Sequence, residues 1–193
     1  LAENTAKYGG AVHLTENSKL NLTGTIFSKN SATADGGAIY NKASLVTAAD
    51  TETATNTFSE NTAANHGGAI YVVYATDETT NVRTGGVLNV TGGTFSGNTA
   101  MGGGAVSART DCEANFDGTV FTGNKVTGND GKVDGHGEGG GAIYVGYGKL
   151  TLNNYSYKGQ GYLNISSSYY EVIYSKNDLT LELIGNNTLT HTY

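Results

Sequence analysis

FSGNTAMGGGAV, residues 95–106, joins a Phe, an Asn three residues further on, and a glycine run closed by Ala and an aliphatic residue. Both halves of this phrase recur. FSKN stands at 27–30, FSEN at 58–61 and FTGN at 121–124, with LAEN at 1–4 as a weaker copy that puts Leu1 in the Phe slot. GGAV or GGAI stands at 9–12, 36–39, 67–70, 103–106 and 140–143, so the two halves alternate along the chain. The repeat is therefore anchored at Phe27, Asn30, Phe58, Asn61, Phe95, Asn98, Phe121 and Asn124. Its glycine pairs are Gly36 and Gly37, Gly67 and Gly68, Gly103 and Gly104, and Gly140 and Gly141.

Counting back from each Phe exposes another column. Leu20 and Leu22, Leu88 and Val90, and Ala114 and Phe116 occupy the same two slots, with Gly24, Gly92 and Gly118 closing the run. Alternation that ends at a glycine is the pattern of a short strand with one buried face. The unit reads as three strands, at AIY, LNLTG and TIFSKN, in about 26 residues. A unit of that size cannot bury its own apolar face and must stack on its neighbours. Beyond 144 the pattern thins. Leu150 and Leu152 keep the paired slots, Tyr157 takes the Phe slot and Gln160 the Asn slot, while YEVIYS 170–175 and LTLELIG 179–185 read as a degenerate further turn.

The expectation is an all-β chain forming a right-handed single-stranded parallel β-helix of about six to seven coils. It is one domain over residues 1–193, with regular repeats to 144 and degenerate coils over 145–193. Stacking explains the vocabulary. Tight corners call for glycine at positive φ, Phe lies on Phe, and each Asn amide donates to the next. The total lack of Pro fits strands that all need their N–H groups. The sheet edges expected at both ends suggest a piece of a longer array or a chain that stacks end to end.

Composition agrees. Of 193 residues only 37% are hydrophobic, while 29 are Gly, 39 are Ser or Thr and 20 are Asn, which suits thin β-structure with many turns. A net charge of −6 with 11 scattered basic residues argues against a nucleic-acid partner, since phosphate neutralisation needs clustered Lys and Arg. One cysteine, Cys112, excludes an intrachain disulfide framework and lies in an alternating apolar stretch, where a buried, inert thiol is expected. No stretch is long and apolar enough for a transmembrane helix.

Candidate sites come from column logic. The aliphatic residues 12, 39, 70, 106 and 143 should face inward, which leaves the Ala before and the residue after them facing out. The latter column is His13, Tyr40, Tyr71, Ser107 and Tyr144. An exposed stack of Tyr40, Tyr71 and Tyr144, headed by His13, is a candidate platform for sugar rings or a partner protein. Elongated corners at Ala75–Thr84 and Lys125–Glu138 flank it. In the second of these, Asp130, Asp134 and Glu138 could hold Ca²⁺ through oxygen ligands, although a solvated corner explains the same residues. Asp35 and His66, each before a glycine pair, read as turn formers rather than catalysts. No acids recur at a spacing that would stack a catalytic pair, so no catalytic residue is assigned. TETATNT at 51–57 alternates four threonines on one stretch alone and reads as filler beside a loop.

The alternation of GGA[IV] and FxxN across residues 1–144 resembles the repeats of the chlamydial polymorphic outer membrane proteins. The resemblance implies a right-handed parallel β-helix serving as the surface-exposed passenger of an autotransporter-type adhesin, secreted or at the cell surface. Residues 145–193 depart from the signature. The functional expectation is a non-enzymatic structural and adhesive module whose partner is a host-cell receptor, a glycan or another copy. A self-assembling extracellular fibre and a carbohydrate-active β-helix are the alternatives.

Overall fold

The computed structural model describes residues 1–127, 141–146 and 148–154. Beyond them it describes the backbone of Ser156–Gly159, Tyr162–Asn164, Tyr169–Glu171, Ile173–Ser175, Thr180–Ile184 and Thr188–His191. The chain is a parallel β-helix. Three six-stranded sheets run its length, each taking one strand from every coil. The tyrosine sheet stacks Val12–Leu14, Ile39–Lys42, Ile70–Val73, Val106–Ala108, Ile143–Val145 and Ile173–Ser175. The leucine sheet stacks Lys19–Leu22, Leu45–Ala49, Val87–Thr91, Glu113–Asp117, Lys149–Asn153 and Thr180–Ile184. The phenylalanine sheet stacks Ile26–Ser28, Thr57–Ser59, Thr94–Ser96, Val120–Thr122, Ser156–Gly159 and Thr188–His191. The register is the one the repeat demands: Phe27 pairs with Phe58, Phe58 with Phe95, and Phe95 with Phe121.

Two departures from simple alternation shape the coil. A fourth strand follows each Asn, giving a five-stranded sheet of two-residue strands from Thr5–Ala6 to Lys125–Val126. Its inward residues Ala32, Ala63 and Ala100 form a small apolar cluster of their own. The alanines of GGA also point inward, against expectation: Ala38, Ala69, Ala105 and Ala142 are fully buried beside Ile39, Ile70, Val106 and Ile143. The hydrogen bonds give the reason. The amides of Ala38 and Ile39 both donate to the Ala69 carbonyl at 2.9 Å, and those of Ala105 and Val106 both donate to Ala142. Two residues facing one carbonyl make a bulge, and a bulge sends consecutive side chains to the same side.

The two glycines of each pair serve different ends. Gly36, Gly67 and Gly103 have φ of +68°, +63° and +61°, which L-residues avoid. Gly37 is needed for another reason: a Cβ there would stand 2.0 Å from the Gly68 carbonyl oxygen of the next coil. The core between the sheets is a continuous column of Phe, Leu, Val, Ile and Ala. Cys112 lies in it, free and buried, and burial pushes its thiol up to about 11.

The degenerate coils join the same sheets. Ile143 pairs with Ile173, Leu150 with Leu181 and Tyr157 with Leu189, all parallel. Among the described residues two antiparallel strand pairs stand apart from these sheets. One pairs Ala75–Thr76 with Arg83–Thr84 and the other pairs Tyr162–Asn164 with Tyr169–Glu171.

Candidate functional site

Two sets of columns were marked by the sequence, and they divide into a scaffold and a face. The scaffold is the FxxN corner. Phe27, Phe58, Phe95 and Phe121 are fully buried and stack with centroids 5.1, 4.5 and 4.8 Å apart. Each buried Asn serves two neighbouring coils. Asn61 Oδ1 accepts from the Asn30 amide at 3.0 Å and from Asn30 Nδ2 at 2.9 Å. Asn61 Nδ2 in turn donates to Asn98 Oδ1 and to the Phe27 carbonyl, both at 3.0 Å. The same linkage runs from Asn4 through Asn98 to Asn124. The residue before the Asn turns the corner in the left-handed region, at Lys29, Glu60, Gly97 and Gly123.

The tyrosine face is built from two adjacent columns. The strand column is His13, Tyr40, Tyr71, Ser107 and Tyr144, held by parallel register. The corner column is Tyr8, Asp35, His66 and Gly102, tied by backbone bonds from Gly9 to Asp35, Gly36 to His66 and Gly67 to Gly102. Rings from both columns meet. Tyr8 lies 5.0 Å from Tyr40, His13 lies 4.8 Å from Tyr40, Tyr40 lies 5.5 Å from Tyr71, and His66 stacks on Tyr71 at 5.6 Å.

This crowding corrects the expected exposure. Tyr71 and Tyr144 keep only 7% and 3% of their surface, and Ser107 none. Coils about 4.8 Å apart put each ring under its neighbour, and His66 beside Tyr71 and Arg109 near Tyr144 cover flanks. The accessible part of the ladder is its first stretch, where His13 is exposed and Tyr8 and Tyr40 are half-buried. Burial, with Asp35, Tyr8 and Glu16 nearby, pushes the Tyr40 phenol up to about 12.

His66 Nδ1 and Asp35 Oδ1 are 2.7 Å apart. Column reading missed this contact, although both residues fill the slot before a glycine pair in consecutive repeats. Treating that slot as a stack of its own would have found it. Asp50 is the other acid drawn inward. It takes the Asn56 amide at 2.7 Å and the Gly93 amide at 2.6 Å, closing the corner that TETATN lengthens. Among the described residues no group of three or more His, Cys, Asp and Glu could hold a metal ion. Asp130, Asp134, Glu138 and Gly140 lie outside the described residues.

The Chlamydia polymorphic membrane protein repeat matches the chain at residues 24–42, 57–73, 92–109 and 118–146. The chain carries polymorphic membrane protein repeats. Each match opens at or just before a phenylalanine strand, passes the Asn and glycine corners, and ends in or just past a tyrosine strand, so the family's repeat is the geometric repeat of this helix. Polymorphic membrane proteins are surface-associated and generally non-enzymatic, which supports a cell-surface location in general terms. No curated protein and no solved structure matches the chain.

Proposed function

We propose that this polymorphic membrane protein repeat array is an adhesive display module: a rod that holds a side face and corner loops away from a surface for contact with a host receptor or glycan. The observation that carries it is where the chain permits variation. Inside, the Phe and Asn columns repeat coil after coil with every amide paired. Outside, the corner between the tyrosine and leucine sheets grows from a short turn into the Ala75–Thr84 hairpin without disturbing either sheet.

The hairpin has its own internal order. Asp77 Oδ1 accepts from the Thr79 and Thr80 amides at 2.8 and 3.0 Å, and those bonds hold its carboxyl below the usual range. Arg83 lies 4.7 Å over the Tyr74 ring at its base, and Val82, whose carbonyl accepts from the Asp77 amide below the Glu78–Thr80 turn, is 59% exposed. An ordered loop with an exposed apolar side chain on its flank is pre-organised for contact, so less entropy is lost on binding.

The test is saturable binding of fluorescently labelled protein to a panel of host cells. A variant with 75–84 replaced by a Gly-Ser turn is run beside it. Wild-type binding that the variant weakens is the expected outcome. Absence of saturable binding on every surface, with turnover of a polysaccharide panel instead, would overturn the display reading.

A further inference from the structure

Asp35 and His66 fill the same corner slot in the second and third coils, each just before its glycine pair. His66 Nδ1 stands 2.7 Å from Asp35 Oδ1, and since a carboxylate oxygen only accepts, the ring nitrogen donates. The contact lies where the two backbones are already tied. The Gly36 amide donates to the His66 carbonyl at 2.9 Å, and the Gly37 amide donates to the Gly67 carbonyl at 3.0 Å. The His66 ring also stacks on Tyr71 at 5.6 Å. An imidazole is thus fixed between the carboxylate of the coil before and an aromatic ring of its own coil.

We infer that the Asp35–His66 contact is an acid-strengthened clasp between the second and third coils, which holds the glycine corner more tightly when His66 carries a proton. The inference stands apart from the display reading. Neutral His66 already donates one hydrogen bond, so deprotonation weakens the clasp rather than opening it. Protonation sets a full charge against the carboxylate, and an opposite charge this close favours the charged imidazole. Burial works the other way. Its penalty is partial, because the His66 side chain keeps 24% of its surface and Asp35 14%, and the Tyr71 ring attracts the cation as well. The sign follows. The added stability is fully present below the unfolded-state value of about 6.5 and is lost as pH rises through the higher folded-state midpoint.

The described groups around the pair do not reverse this sign. Tyr71 and Tyr40 face it from the tyrosine strands of the third and second coils, with Tyr8, His13 and the Glu16–Lys42 pair on the far side of Tyr40. Burial, then Asp35, pushes the Tyr40 phenol up to about 12, so this ring stays neutral near pH 7. Glu16 and Lys42 offset one another. In the fourth coil the corresponding slots hold Gly102 and Ser107, which carry no charge. A charge on His13 would oppose one on His66 across the Tyr40 ring, so its ring signal is followed separately.

The experiment is amide hydrogen exchange of the whole chain by NMR between pH 8 and pH 5.5, expressed as protection factors, with titration of the histidine ring signals beside it. The Gly36 and Gly37 amides report the clasp. The Thr57 amide, bonded to the Thr25 carbonyl between the same two coils on the phenylalanine sheet, is the control. Expected on acidification is a rise of about tenfold in Gly36 and Gly37 protection, the equivalent of one unit in the His66 midpoint, with a smaller change at Thr57. His66→Gln, whose amide still donates to Asp35 but does not titrate, should lose that rise. Asp35→Asn should lower the His66 midpoint by about one unit. A midpoint unmoved in Asp35→Asn, corner protection that stays flat with pH, or a rise that persists in His66→Gln overturns the inference. An equal rise at Thr57 overturns it too, since that would report general relief of the −6 net charge. Should Asp35→Asn fail to fold, the wild-type protection profile set against His66→Gln decides.

Discussion

The FxxN corner and the tyrosine face belong to the same coils, yet they obey different rules. In the corner, Phe and Asn recur almost without exception, and in the face the same five rungs hold His, Tyr, Tyr, Ser and Tyr. The corner is closed on all sides. Each Asn must accept from the coil before, donate to the coil after and reach the Phe carbonyl of the coil before, so no other side chain meets every demand. A face residue need not bridge its neighbouring coils by hydrogen bonds, so Ser107 can stand in the tyrosine column at the cost of one buried hydroxyl without a partner among the described residues. The difference separates what the helix needs in order to stack from what it can vary in order to bind.

The sharpest way to break the stacked side is at the approach of one coil to the next. Gly37→Ala places a Cβ 2.0 Å from the Gly68 carbonyl and 2.7 Å from both the Thr62 nitrogen and oxygen, all backbone atoms. Nothing there can rotate aside, so the coils must part. Loss of more than ~4 kcal/mol in urea unfolding, or failure to fold, is expected. Next in size is Asn61→Ala. It strips the acceptor from the Asn30 amide and Nδ2 and the donor from the Phe27 carbonyl, in a fully buried setting. At ~1–3 kcal/mol per orphaned group, part of it recovered by entering water, the loss should be about 3–4 kcal/mol.

These magnitudes explain what the sequence made legible. The Phe, Asn and glycine columns could be read because each residue is copied against its own image, so that recurrence in sequence is contact in space. The leucine sheet followed from Leu20, Leu88 and Leu150 by the same logic. The inward Ala38 and Ala69 could not be read, because a bulge breaks the period of two on which the inside-or-outside assignment rests. The burial of Tyr71 and Tyr144 was hidden for a different reason. Alternation tells which side of a sheet a residue takes, whereas exposure on that side depends on what neighbouring columns contribute, here His66 and Arg109. The Asp35–His66 contact crossed two coils whose intervening loops differ in sequence, and only the shared slot before the glycine pair links them.

The face offers a milder contrast, and one of opposite sign. Ser107 Oγ is fully buried and has no hydrogen-bond partner among the described residues. Ser107→Ala removes that hydroxyl and keeps the methylene, so stability should rise by about 1 kcal/mol in the same urea experiment. A loss instead would show that the hydroxyl is satisfied by a bound water and that the face is wetter than its burial implies.

The smallest expected effect tests the corner against itself. Lys29 and Glu60 hold the left-handed slot at φ +54° in two coils, and Gly97 and Gly123 hold it at +62° in two others. If the slot demands only a backbone angle, Glu60→Gly should stabilise by about 0.5–1 kcal/mol, the relief of left-handed strain exceeding the entropy that glycine adds to the unfolded chain. Gly97→Ala is the mirror test. A Cβ there would meet Glu60 Cγ at 3.6 Å, an ordinary contact, and a Cβ on Gly123 would meet nothing within 4 Å. Any loss in Gly97→Ala is therefore conformational rather than steric, and should match the Glu60→Gly gain in size. Equal and opposite shifts would make this slot the one place in the corner where the sequence drifts for want of a packing partner. A null result in both would mean that the bonds from the Glu60 amide to Ser96 and from the Gly97 amide to Thr122 hold the turn whatever residue occupies it.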